Sequence, residues 1–114
     1  VLQATGKTDE AMATLVQAIE HPTSTPLLIH MAARGLQQQG QMESANEVFR
    51  MNYEKNPGVW PVDFGMARVY SNEGDFKKAL KHAEIAKGRA PAGAQKQNLE
   101  TQIARLEKGE DINP

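Results

Sequence analysis

Large apolar side chains recur every three or four residues over most of the chain, the spacing that places them on one face of a helix. Glycine and proline interrupt this pattern, and β-branched residues nowhere alternate with polar ones. The pattern predicts an all-α protein without strands. The predicted helices cover residues 8–20, 26–38, 42–55, 61–72, 75–88 and 93–107, with a helical fragment over 1–5. Thr23 or Ser24 is the expected N-cap of the helix over 26–38, and Asp75 that of the fifth full helix.

The interruptions repeat with a period of 34 residues. The matching columns are Gly6 with Gly40 and Gly74, Ala11 with Ala45 and Ala79, Leu2 with Leu36 and Tyr70, Leu15 with Phe49 and Ala83, Ala33 with Ala67, and Pro57 with Pro91. The glycines fall where a tight turn between helices requires positive φ. The prolines fall where the second helix of each pair ends. We expect the alanines at 33, 45, 67 and 79 to be buried where helices cross closely.

This pattern resembles the tetratricopeptide repeat (TPR) family. The third copy carries it most fully, with Trp60, Ala67, Tyr70, Gly74, Phe76, Ala79, Ala83, Ala86 and Pro91 in the expected positions. Two residues depart from the family pattern: Asn52 replaces a small apolar residue and Asp63 a bulky one. The resemblance implies a right-handed superhelix of antiparallel helix pairs in a single domain. Its parts are a partial repeat over 1–25, repeats over 26–59 and 60–93, and a capping helix and tail over 94–114.

The C-terminal end narrows the resemblance. The runs from Trp60 to Arg68, from Gly74 to Leu80 and from Leu106 to Asn113 are similar to the C-terminal repeats of certain bacterial proteins. In those proteins an N-terminal β-rich domain of unknown function precedes the repeats, and many of them are exported. The resemblance therefore implies export or a periplasmic location.

The start of the chain falls inside a repeat. Val1 occupies the tenth repeat position, so we expect the chain to be the C-terminal part of a longer protein. An incomplete first repeat would leave an apolar strip around Met12, Leu15 and Val16 uncovered. Exposed apolar surface of this kind favours self-association through that end.

Composition and charge exclude several classes of function. Thirteen basic residues against fourteen acidic ones give a net charge of −1, which disfavours a nucleic-acid binder. No run approaches the ~20 apolar residues of a membrane span. Cysteine is absent, and His21, His30 and His82 show no metal-ligand spacing. We therefore expect no catalytic residues, no metal and no cofactor.

The family resemblance also implies a candidate binding site. The first helix of each TPR pair lines a concave groove, and the matching positions here are His30, Arg34, Gln37, Phe64, Arg68, Ser71 and Asn72. Arg34 and Arg68 share one repeat position, and paired guanidiniums suit an acidic peptide or one with a free C-terminal carboxylate. As electrostatic anchors they should be solvent-accessible. The alternative is that they are ordinary surface arginines paired to neighbouring acids.

Three functional interpretations remain open from the sequence. The first is a non-enzymatic module that binds a protein or peptide with its concave face. The second is a structural module that braces or dimerises an adjacent domain and holds no separate ligand. The third is a contribution to an enzyme site, which would require a pocket with an acid or base of shifted pKa. Fold alone does not decide among them.

Overall fold

Consecutive helices joined by loops of three or four residues make up the described part of the chain. The computed structural model describes residues 25–113, together with Gln17. Within that range it has no strand and five helices: α1 Pro26–Gln38, α2 Met42–Lys55, α3 Trp60–Asn72, α4 Phe76–Arg89 and α5 Ala94–Glu107. The all-α prediction is confirmed for this part, and the predicted helix bounds agree to within one residue. The predictions for residues 1–24 lie outside the described residues.

The helices repeat with the period of the sequence. Each bound of α3 and α4 lies 34 residues after the corresponding bound of α1 and α2: 26 and 60, 38 and 72, 42 and 76, 55 and 89. Each helix packs on the next one, and α1 also contacts α3. The first helices of the two pairs are therefore neighbours, so equivalent positions of the repeat come close together.

Local signals set the helix ends. Thr25, rather than Thr23 or Ser24, caps α1, and its hydroxyl accepts a hydrogen bond from the Leu28 N–H at 3.2 Å. Pro26 is the first residue of the helix, a position where the missing N–H of proline has no cost. The N-cap is therefore the residue directly before it. Asp75 caps α4 as predicted. Gly40 and Gly74 have φ values of 80° and 82°, the left-handed conformation that the turn requires.

Two clusters of buried side chains form the core. One joins α1, α2 and α3 and is centred on Phe49, and the other joins α3, α4, α5 and Ile112. Tyr70 packs against both. The predicted burial of the repeat alanines is confirmed, with no exposed area at Ala33, Ala45, Ala67 and Ala79. Small side chains at these positions allow neighbouring helices to approach closely.

Asn52, one of the two departures from the repeat pattern, ties α2 to the start of α1. It is fully buried, and its amide donates to the Pro26 carbonyl at 3.0 Å. Its carbonyl oxygen accepts from the amide of Asn56 at 3.0 Å. A buried polar side chain is tolerated here because both ends are paired.

The residues that follow α5 pack against the helices. Leu99, Ile103 and Leu106 form an apolar stripe along α5 and are buried. The chain reverses at Gly109, whose φ is 73°. Residues 110–113, here called the tail, then run back against α3, and Ile112 is 4% exposed within the core. The tail is therefore part of the packed structure.

Candidate functional site

The surface shared by α1 and α3 collects most of the predicted binding residues. We define the α1–α3 face by Arg34, Gln37, Arg68, Ser71 and Asn72. The 34-residue offset of the two helices brings Arg34 and Arg68 to one cavity. The tail covers this face, and its contacts show which chemical groups the face can satisfy.

Ser71 contacts two successive residues of the tail. Its hydroxyl donates to the Asp111 carboxylate at 2.6 Å and accepts from the Ile112 N–H at 2.9 Å. Ser71 is 2% exposed, so water does not compete strongly for these bonds. One buried hydroxyl therefore satisfies both the acidic side chain and the backbone of the tail.

Ile112 and Asn113 of the tail also bond to residues of α1 and α3. Arg68 donates from Nη1 to the Ile112 carbonyl at 3.3 Å. The side-chain amide of Asn113 donates from Nδ2 to the Arg68 backbone carbonyl at 2.8 Å. Its oxygen, Oδ1, accepts from the side chain of Gln37 at 2.6 Å. Both backbone polar groups of Ile112 are thus satisfied by side chains, which an extended segment outside a sheet needs when it is buried.

The carboxylate of Asp111 is held in its ionised form. Burial alone would raise its pKa. The hydrogen bonds that it accepts from Ser71, Asn113 and Asn72 outweigh burial and lower the pKa of Asp111 below its usual value. The α1–α3 face is therefore suited to a negatively charged side chain at this position.

Arg68 is buried, so the prediction that both groove arginines are solvent-accessible is wrong for it. Its exposed fraction is 5%. The tail covers one side of its side chain, and its guanidinium carbon lies 4.3 Å from the centre of the Phe64 ring on another. Its Nε is buried and has no hydrogen-bond partner among the described residues.

His30 and Phe64 are buried core residues, which corrects the expectation that they line the surface of the groove. Their rings lie 5.3 Å apart, and Phe49 lies 5.1 Å from His30 on another side. Burial, followed by repulsion from Arg68 and Arg34, lowers the pKa of His30 to about 3. The imidazole is therefore neutral at physiological pH and supports the α1–α3 face from beneath.

Arg34 and Arg68 line a cavity of about 390 Å³ that sequence reasoning did not foresee. We call it the arginine cleft and define it by its lining residues: Arg34 from α1, Arg68 from α3, Asn98, Gln102 and Arg105 from α5, and Ile112 and Asn113 from the tail. Arg34 is half-buried and makes no hydrogen bond or ion pair within residues 25–113. The alternative that it is paired to a neighbouring acid is not met in this part of the chain.

The contributions of α5 and the tail were missed because they follow no repeat. Arg105 donates to the Asp111 carbonyl at 2.9 Å and so fixes the bend that leads into the tail. A single buried isoleucine between Asp111 and Asn113 was the available signal. An apolar residue that alternates with polar ones is typical of an extended segment with one buried side.

A second polar cluster fastens α3 to α4. Asp63, the other departure from the repeat pattern, has a side chain only 3% exposed and pairs with His82 at 3.0 Å and with Arg89 at 3.3 Å. Tyr70 stacks on the His82 ring at 5.4 Å. Because both carboxylate oxygens have partners, the buried charge is compensated, and the cluster explains why a bulky apolar residue is absent at position 63.

Residues 25–113 contain no group of three or more His, Asp or Glu side chains arranged to hold a metal ion. In the same part of the chain, no helix combines the length and apolar character needed to cross a membrane.

Comparison with protein-family models, with curated proteins and with solved structures gives no match. The likeness to the TPR family therefore rests on the 34-residue columns and on the matching helix bounds.

Proposed function

We propose that the chain is a non-catalytic, TPR-like binding module whose α1–α3 face holds an extended acidic peptide. In this proposal the helix pairs continue as a right-handed superhelix, and the α1–α3 face lies on its concave side. The tail then occupies in cis the place that a partner segment would take. The partner is a protein with an exposed run of the type acidic–apolar–amide, as in Asp111, Ile112 and Asn113.

The bonding of the tail carries this proposal. Three of the seven residues expected to line the groove, namely Gln37, Arg68 and Ser71, hydrogen-bond to the tail. Side chains that satisfy a peptide backbone bind an extended segment largely independently of its sequence, while the carboxylate and the buried isoleucine add preference. The seven residues of the arginine cleft include no carboxylic acid or histidine, which favours binding over acid–base catalysis.

The same observation also supports the second interpretation, a structural module without a separate ligand. Ile112 belongs to the buried cluster that contains Phe64, Leu99 and Leu106. A tail that is part of the core would brace the repeats permanently. The two functions differ in one respect: only a binding module accepts the same segment from another molecule.

A titration in trans separates these functions. The probe is a fluorescent peptide with the sequence of residues 108–114, and the protein is the full chain with Asp111→Ala and Ile112→Ser to release the tail. We expect saturable binding to the released variant. Wild type should bind at least about tenfold more weakly, because a tethered segment competes at an effective concentration of the order of millimolar.

Matched controls make the result specific. Ser71→Ala in the released background should weaken binding, whereas Ser44→Ala on α2 should not. A peptide with Ala in place of the Asp should bind less and respond less to salt. A released variant that keeps its helical circular dichroism but binds no peptide would refute the binding module and favour the structural one.

A further inference from the structure

The arginine cleft gathers three guanidinium groups from three different helices. Arg34 comes from α1, Arg68 from α3 and Arg105 from α5, and none of the seven lining residues is acidic. The amides of Asn98, Gln102 and Asn113 complete a lining in which Ile112 is the only apolar residue. A cavity of about 390 Å³ with this lining is a polar site and not a packing defect.

The positive charges in the cleft are incompletely compensated. Arg105 lies 3.6 Å from Glu110. Asp111 is the other nearby acid, and Ser71 and Asn113 already engage its carboxylate. Among the described residues, three guanidiniums thus face two carboxylates, and both carboxylates belong to the tail. Arg34 has no partner within residues 25–113.

Arg68 adds a buried positive charge to the cleft. It is 95% buried, since its exposed fraction is 5%, yet its Nε has no hydrogen-bond partner among the described residues. Burial, followed by repulsion from Arg34 and Arg105, lowers the pKa of Arg68 to about 9. An anion in the cleft would reduce the repulsion between Arg68 and the two neighbouring guanidiniums.

We propose that the arginine cleft is a binding site for a small phosphate dianion, either inorganic phosphate or a phosphomonoester. Guanidinium groups match the oxygens of phosphate with paired hydrogen bonds, and three of them can share a tetrahedral anion. The amides of Asn98 and Gln102 can donate further bonds. The volume of the cleft leaves room for a small organic group on one phosphate oxygen. The site does not depend on the proposed peptide binding, because it forms with the tail in place.

The test uses the full wild-type chain and inorganic phosphate at constant ionic strength. We expect saturable 1:1 binding by calorimetry, with a dissociation constant of the order of 1 mM or tighter. Phosphate should also shift the amide NMR signals of Arg68 and Asn113. Glycerol phosphate in a second arm distinguishes the two sources: tighter binding than inorganic phosphate assigns an ester, and weaker binding assigns the free ion.

Variants localise the binding. Arg34→Gln should weaken phosphate binding at least about tenfold, because it removes a charged donor. We expect this substitution to leave the fold intact, since Arg34 has no hydrogen-bond or ion-pair partner to lose within residues 25–113. The matched control is Arg50→Gln on α2, which replaces an exposed arginine that pairs with Glu73. The Arg50→Gln variant should bind phosphate with the affinity of wild type. Absence of saturable binding by wild type, or equal affinities of Arg34→Gln and Arg50→Gln, would overturn the proposal.

Discussion

The hydroxyl of Ser71 lies 2.6 Å from the carboxylate of Asp111, 40 residues later in the chain. This contact joins the end of α3 to the tail and is continued by the bond from the Ile112 N–H to the same hydroxyl. A position that the family resemblance assigns to a ligand-binding groove thus faces a non-helical segment of the same chain.

Removal of the Ser71 hydroxyl should destabilise the fold. Ser71→Ala leaves the buried Ile112 N–H without its acceptor, and we expect a loss of about 1–3 kcal/mol in the free energy of unfolding. Urea denaturation measures it. Ser44→Ala on α2 is the control and should stay within about 0.5 kcal/mol of wild type. Equal effects of the two substitutions would show that Ser71 does not hold the tail.

Gly65 marks the close approach of α3 to α2. A Cβ at this position would lie 2.7 Å from Cδ1 of Phe49, whose side chain is fully buried and cannot move aside freely. Gly65→Ala should therefore destabilise by about 1–3 kcal/mol, although alanine is the better helix former.

Gly88 in α4 provides the opposite case for comparison. A Cβ there would meet no heavy atom within 4 Å. Gly88→Ala should stabilise the protein by about 0.5–1 kcal/mol, because alanine loses less conformational entropy in a helix. Thermal melts of both variants check the pair. A stabilised Gly65→Ala variant would mean that α2 and α3 are farther apart than described.

A larger side chain at Ala79 should destabilise the protein, because neighbouring helices cross closely there. This side chain has no exposed area and lies in the cluster shared by α3, α4 and α5. Ala79→Leu should cost about 1–3 kcal/mol, because the added atoms have no space. Ala104→Leu on the exposed side of α5 should change stability by less than about 0.5 kcal/mol. If neither Ala79→Leu nor Ala104→Leu changed the denaturation midpoint, Ala79 would not lie on the buried face of α4.

Stability should fall as the pH decreases below about 6.5, because of His30. Its pKa is about 3 in the folded chain against 6.5 as the ordinary value, so between these values the unfolded chain binds a proton that the folded chain does not. Arg68 and Arg34 oppose its protonation. His30 therefore changes the free energy of unfolding by up to about 1.4 kcal/mol per pH unit in this range.

The measurement for His30 is the free energy of unfolding in urea at several pH values. Asp111, whose lowered pKa keeps it ionised in this range, does not contribute between about pH 6.5 and 4.5. His30→Leu should remove the His30 contribution and give a flatter pH profile. Parallel profiles for the variant and wild type would show that His30 titrates equally in both states.

The periodic part of the structure could be predicted from the sequence. Columns spaced by 34 residues gave the bounds of α1 to α4 to within one residue, the turns at Gly40 and Gly74, and the buried alanines. Such features are local or repeat from one pair to the next, so the sequence pattern carries them directly. The cap of α1 was missed by one residue because several hydroxyl residues precede Pro26.

The non-periodic part could not be predicted in the same way. The family resemblance assigned Arg68, Ser71 and Gln37 to one groove, and in the structure all three contact a tail that joins them from far along the chain. Contacts over such separations leave no spacing signal in a single sequence. The pairing of Asp63 with His82 and Arg89 was missed for the same reason, since it connects two helices through side chains alone.

Hydrogen exchange of the Ile112 amide tests most directly the central claim that the α1–α3 face holds an extended segment. This N–H donates to Ser71 at 2.9 Å and should exchange at least about tenfold more slowly than in an unstructured peptide, because exchange requires release of the tail. Ser71→Ala should abolish the protection, and Ser44→Ala should leave it unchanged. An Ile112 amide that exchanges in wild type at the unstructured rate would contradict the account.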